Sequence, residues 1–183
     1  MADEQRSIFD VIGELFSQED VHTKQSHIKI KKEHKWILRI DGASRGNPGQ
    51  AGVGIFITKD EIVHLQEGYY IGKKTNNEAE YLALVLGLFL LKEVMNGQDS
   101  LTVISDSELL IKQMKKIYKV KKPELQILYS CVQILLENKK PVFKHVLREY
   151  NQKADVLANK GVDTKHSVPL TFLDFLAQHN YFM

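Results

Sequence analysis

Between Thr75 and Met95 the chain carries a helix-length segment whose interior, 81–91, is apolar on nearly every face. A helix of that kind has no side to turn to water, so it must press against a sheet and be covered by further elements. The run is too short to cross a bilayer, which takes about 20 apolar residues, so a core helix in a layered domain is the reading left. Its start is marked by Thr75-Asn76-Asn77-Glu78, the pattern of a capping box, in which Thr75 caps the first turn and Glu78 folds back onto the cap's own amide.

The segments around it supply the sheet. Residues 36–40 read as a strand ending at Asp41, followed by the turn-rich Gly42-Ala43-Ser44-Arg45-Gly46-Asn47-Pro48-Gly49. Segments 51–58 and 61–71 read as two more strands joined tightly through Lys59 and Asp60, so three antiparallel strands follow one another. Downstream, 101–104 is a short buried strand, Ser107 begins a helix to about 116, and Pro123 opens another to about 138. Segment 142–147 is the fifth strand, and 151–161 is a closing helix stopped by Gly161. This order predicts an α/β fold: a five-stranded mixed sheet, three antiparallel strands then two crossover strands, with helices on both faces.

Three regions are expected: an N-terminal extension over 1–34, the folded domain over 35–163, and a C-terminal amphipathic tail over 164–183. The extension is partly helical, with Ile8, Val11, Ile12, Leu15 and Phe16 at helical spacing, and has too few apolar residues to fold alone. In the tail, Leu170, Phe172, Leu173 and Leu176 follow Pro169 and are expected to pack on the chain's own domain. A monomer is expected, with the two extensions as the segments through which it could dimerise.

Twenty-five Lys and Arg against 23 Asp and Glu leave a formal charge of +2, so any footprint for a polyanion must be local. The single cysteine, Cys131, excludes an internal disulfide and a cysteine zinc cluster and fits a reducing cytoplasm. Asp3 and Glu4, with no long apolar run behind them, argue against a signal peptide, and no membrane partner is expected.

Four acids stand at element ends. Asp41 and Asp106 each follow a strand, Glu80 lies one turn into the apolar helix, and Asp155 one turn into the last helix. Taken singly, Asp41 before Gly42 is equally a turn aspartate, Asp106 a helix cap, and Glu80 and Asp155 solvated helix residues. If the two strands are neighbours, however, all four reach one sheet edge. Such a cluster repels itself unless hard divalent cations, Mg²⁺ above all, compensate it.

At these residues the chain resembles a known family. Ile40-Asp41-Gly42-Ala43-Ser44-Arg45-Gly46-Asn47-Pro48-Gly49 is similar to the first signature of the type 1 ribonucleases H. Thr75-Asn76-Asn77-Glu78-Ala79-Glu80 resembles the second, Ser105-Asp106-Ser107 the third, and 151–159, with Ala154-Asp155 and Leu157-Ala158, the fourth. The resemblance covers roughly 36–162, and four signatures in order are far more specific than any one. It implies a ribonuclease H-like fold and endonucleolytic hydrolysis of the RNA strand in RNA–DNA hybrids, leaving 3′-hydroxyl and 5′-phosphate ends. It also implies two Mg²⁺ per site, replaceable by Mn²⁺, held by Asp41, Glu80, Asp106 and Asp155.

In that reading Asp41 bridges both metals, Asp155 completes the site for the ion that activates water, and Glu80 and Asp106 hold the ion at the leaving oxygen. Glu78 is already accounted for by the capping box. A fifth catalytic residue falls to His145 or Glu149; His145 lies within a predicted strand, which leaves Glu149. Gly42, Ser44 and Gly46 would touch ribose hydroxyls, Asn76 and Asn77 would reach the minor groove, and Thr75 and Asn47 would seat a DNA-strand phosphate. The asparagines serve equally as turn and cap residues.

Lys112, Lys115, Lys116, Lys119, Lys121 and Lys122 form a basic run that could track phosphates or could simply be a solvated face. Lys24, Lys29, Lys31, Lys32 and Lys35 could add sequence-independent attraction, while His22, His27 and His34 are too irregular for a metal site. The rival readings are a non-catalytic hybrid or RNA binder, another nuclease on the same fold, and an interaction protein acting through its extensions.

Overall fold

The computed structural model describes residues 33–137 and 139–183. The expected N-terminal helix, with the lysines and histidines before residue 33, lies outside the described residues. The elements run β1 (Lys35–Gly46), β2 (Gly49–Lys59), β3 (Ile62–Lys74), α1 (Asn76–Lys92), β4 (Ser100–Ser105), α2 (Glu108–Met114), α3 (Pro123–Leu136), β5 (Val142–His145), a 3-10 turn (Arg148–Tyr150), α4 (Gln152–Thr164) and α5 (Leu170–Gln178). The five strands form one sheet in the order β3-β2-β1-β4-β5. The β1–β2 and β2–β3 ladders are antiparallel, and the β1–β4 and β4–β5 ladders parallel.

Alternation along β1 sorts the two faces. Leu38, Ile40 and Gly42, with their partners Ile57, Ile55 and Val53, face α1, whose Gly87 leaves room for the Leu38 side chain. The capping box forms as read: Thr75 Oγ1 accepts from the Glu78 amide at 3.3 Å, and the Thr75 amide donates to Glu78 Oε2 at 2.9 Å. Residues 79–86 of α1 are buried without a break, and α3 covers its far side through Leu125, Leu128, Val132 and Leu135.

The other sheet face is built for close approach. A Cβ on Gly54 would lie 2.0 Å from the Ala154 carbonyl oxygen, one on Gly52 2.5 Å from that of Ala158, and one on Gly68 2.0 Å from that of Leu157. Helix α4 therefore rests its backbone directly on β2 and β3. Gly161, expected to stop this helix, lies inside it instead: a Cβ there would meet the Tyr69 backbone at 2.5 Å. The helix ends at Lys165, whose φ of 55° is left-handed.

Two further boundaries differ from expectation. Strand β1 does not end at Asp41 but continues to Gly46, because the segment read as a loop pairs with β2 as far as Gly46↔Gly49. The β2–β3 turn falls on Asp60-Glu61, with φ of 49° and 70°, one residue later than read. Segment 164–183 contributes Val168, Phe172, Leu176 and Tyr181 to the main core. Helix α5 closes in a Schellman motif: Asn180, at φ 61°, donates to the Ala177 carbonyl, and the Tyr181 amide donates to that of Leu176 at 2.9 Å. No helix among the described residues is long and apolar enough to cross a membrane.

Candidate active site

Strand β1 runs beside β4 as far as Arg39↔Ile104, then continues against β2, where Asp41 pairs with Gly54. Asp106 directly follows the end of β4. The two aspartates thus emerge just past the carboxyl end of the parallel β1–β4 pairing, the usual position of a site in an open sheet. Helix α1 brings Glu80 to the same level through backbone contact, since a Cβ on Gly42 would stand 2.3 Å from the Glu80 amide nitrogen. Helix α4 brings Asp155, whose predecessor Ala154 rests on Gly54, the cross-strand partner of Asp41.

Two polar side chains engage two of these acids. Asn151, 1% exposed, donates through Nδ2 to the Ile40 carbonyl and to Asp106 Oδ1, both at 2.8 Å. Arg148 forms an ion pair with Asp155. His145 Nε2 lies 3.2 Å from the Asp106 carbonyl, to which it donates in the tautomer protonated there.

The electrostatics are those of an under-compensated cluster. Burial, then the charges of Asp106 and Asp155, push the Asp41 carboxyl from 3.8 up to about 7, against the opposing pull of Arg148 and the Gly42 amide. Glu80 lies well above its ordinary range, first through burial and then through Asp41 and Asp106, with Arg148 and the Ser105 hydroxyl acting the other way. Its Oε2 is buried without a partner, as is Asn151 Oδ1. Asp99 shows what a structural acid in this fold looks like. It accepts from the His34 and Asn96 amides and the Trp36 indole at 2.8 to 3.0 Å, and these bonds hold it below its usual range despite burial.

Asp41 sits within a strand and is not a turn residue. Asp106 does not cap α2, since Ser107 does so by accepting from the Leu110 amide. Glu149 lines a separate recess with Arg39, Phe56, Tyr150, Gln152 and Lys153, and it is its neighbour Arg148 that reaches Asp155. Neither Arg148 nor Asn151 had a role from sequence. Arg148 had no signal beyond its charge, whereas Asn151 stands in the fourth signature.

The residues expected to touch substrate gather where the β1–β2 turn meets the start of α1. Ser44 Oγ shares its proton between the Gly46 and Lys74 carbonyls at 2.6 and 2.7 Å, and Asn47 Oδ1 accepts from the Asn76 amide at 3.0 Å. Gly46 has a φ of 112°, which a side chain would strain. Thr75 is engaged in the cap, Asn76 is exposed and Asn77 half-buried. In the basic run, Lys112 pairs with Glu108 at 2.7 Å, while Lys115, Lys116, Lys119, Lys121 and Lys122 are exposed. Lys116 and Lys119 line a recess of about 450 Å³ with Tyr118 and Tyr129, apart from the four acids.

Among the described residues no three acidic, histidine or cysteine side chains form a ready-made metal cage. The donor set nevertheless fits hard cations: four carboxylates, one oxygen of them buried and unpaired, and one ionising only near neutrality.

Residues 39–161 match the family model described as reverse transcriptase-like. A bifunctional protein of Mycobacterium tuberculosis is 40% identical over 132 residues, spanning 70% of this chain and 36% of that protein. The ribonuclease HI of Halobacterium salinarum is 37% identical over 125 residues, 67% of this chain and 62% of that protein. The chain thus spans between about a third and three fifths of the length of these curated relatives. Among solved structures, LC11-RNase H1 from compost, in complex with an RNA/DNA hybrid, superposes with a TM-score of 0.66 at 36% identity, over 70% of this chain and 97% of that one.

Proposed function

The chain belongs to the type 1 ribonucleases H of the ribonuclease H-like superfamily, and from that premise we propose that it hydrolyses the RNA strand of RNA–DNA hybrids. The observation that carries the reading is the cluster of Asp41, Glu80, Asp106 and Asp155 at one sheet edge, with the buried Glu80 Oε2 unpaired. These four would hold two divalent ions, Mg²⁺ or Mn²⁺. When bound, such ions activate a water and stabilise the leaving oxygen.

The chain's own residues prepare the site. Asn151 fixes the Asp106 carboxylate and anchors it to β1 through the Ile40 carbonyl. Arg148 pairs with Asp155, as a cation there would, and its charge is felt by Asp41, Glu80 and Asp106 as well. Ser44, Asn47, Thr75, Asn76 and Asn77, with the backbone of Gly42 and Gly46, would read ribose hydroxyls and seat a DNA-strand phosphate. In the reaction the water oxygen bonds to phosphorus as the P–O3′ bond breaks, leaving a 3′ hydroxyl and a 5′ phosphate.

A second reading, a hybrid binder without catalysis, is favoured by the Arg148–Asp155 ion pair, in which a guanidinium stands where a cation would. Mg²⁺-dependent cleavage of a strand-labelled hybrid separates the two. Wild type should cut the hybrid's RNA and spare duplex DNA, duplex RNA and single-stranded RNA, and a folded Asp106→Asn variant should not cut. Tight hybrid binding without cutting under Mg²⁺ or Mn²⁺ would establish the binder.

A further inference from the structure

The last residues of the chain close onto the side chains that the functional reading assigns to the hybrid. Tyr181, 5% exposed, donates its hydroxyl to Glu78 Oε1 at 3.1 Å. The other oxygen of Glu78 accepts from the Thr75 amide at 2.9 Å and the Thr75 hydroxyl at 2.7 Å. One carboxylate therefore spans the helix cap on one side and the C-terminal tail on the other.

The network extends further. Lys74 Nζ lies 4.8 Å from the centroid of the Tyr181 ring, and the Lys74 carbonyl accepts from Ser44. Asn76, next to Thr75, is bonded through its amide to Asn47. Ser44, Asn47, Thr75 and Asn76 are thus all linked to Tyr181 by short chains of contacts.

Tyr181 is held firmly enough to act on them. The Schellman turn at Asn180 aims it back toward α1, and Val168, Phe172 and Leu176 of the same tail lie in the core, with the Phe172 ring 5.4 Å from that of Phe89. Burial and the charge of Glu78 keep the phenol protonated and so a donor. Both oxygens of Glu78 are thereby engaged as acceptors, one by Thr75 and the other by Tyr181.

We propose that Tyr181 is a positioning residue for substrate: through Glu78 it fixes the capping box, and with it the Thr75-Asn76-Asn77 surface on which the hybrid sits. This rests on the hybrid-cleaving reading. It predicts an effect on KM and not on kcat, because the acids are held by other means: Glu80 by backbone contact with Gly42, Asp106 by Asn151, Asp155 by the seat of Ala154 on Gly54.

The test uses the full chain and Tyr181→Phe, which keeps the buried ring and removes only the hydroxyl, with the melting temperature as a fold check. Losing a hydrogen bond to a charged group should raise KM for the hybrid about three- to tenfold, with kcat nearly unchanged. Amide hydrogen exchange at Thr75 and Glu78 should quicken. In a Glu78→Ala background the same substitution should add nothing further to KM. An unchanged KM, a parallel fall in kcat, or additive effects of the two substitutions would overturn the proposal. If wild type neither binds nor cuts the hybrid, the functional reading fails by itself. Exchange then decides the coupling, and unchanged protection at Thr75 and Glu78 overturns it.

Discussion

Replacing Asp41 by asparagine should make the metal-free protein more stable. The Asp41 carboxyl is raised from 3.8 to about 7, first by burial and then by Asp106 and Asp155. At about 1.36 kcal/mol per pH unit, keeping it ionised disfavours the fold by on the order of 4 kcal/mol. The sign follows from the folded state binding this proton more tightly than the unfolded chain. The stabilisation from protonation is fully present below 3.8 and is lost as pH rises through about 7. In EDTA at about pH 8, urea denaturation should therefore find Asp41→Asn more stable than wild type by about 2 to 4 kcal/mol, the lower figure allowing for a weaker bond to the Gly42 amide. The advantage should shrink toward about pH 4, and Mg²⁺ should stabilise wild type far more than the variant. If the variant is no more stable in EDTA at about pH 8, or its advantage does not vary with pH, then burial and repulsion do not govern this site.

Two further outcomes test how the acids are held. Gly54→Ala would drive a methyl group to 2.0 Å from the Ala154 carbonyl, so α4 must lift. Stability should fall by about 1–3 kcal/mol and hybrid cleavage by about tenfold or more, read from urea midpoints and kcat; unchanged cleavage would show that Asp155 tolerates the shift. Arg148→Ala should tighten Mg²⁺ binding by up to about fivefold in titration calorimetry, because the guanidinium competes for Asp155 in an exposed pair worth at most about 1 kcal/mol. Weaker Mg²⁺ binding would mean that Arg148 organises the site and does not compete for it.

How much of this was legible in sequence depended on how local the cause is. The capping box at Thr75 and Glu78, the apolar helix and the succession of elements along the chain all follow from patterns within a few residues, and the structure has them. The continuation of β1 past Asp41 was not legible, because Gly, Ser, Asn and Pro carry turn propensity while the strand is held by a partner that propensity does not see. Gly161 failed for a related reason: glycine marks helix ends and close approaches alike, and here the Tyr69 backbone decides. That Arg148 reaches Asp155 while Glu149 lines a recess elsewhere depends on the path of the 3-10 turn, which sends adjacent side chains apart. The Tyr181–Glu78 bond joins residues 103 positions apart and left no local trace.

Asp41 and Gly42 stand back to back on β1. Behind Gly42 lies the Glu80 amide of α1; across from Asp41, Gly54 lies under the Ala154 carbonyl of α4. At this level the three layers meet main chain to main chain, with no side-chain padding to compress or repack. The spacing of the centre is therefore gauged by peptide bonds, whose dimensions scarcely vary. If the four acids hold Mg²⁺, with oxygens at about 2.0–2.1 Å, exchanging it for Ca²⁺ at about 2.3–2.6 Å would leave carboxylate rotation as the main adjustment. Discrimination between ions would then reside largely in glycines that have no functional group of their own.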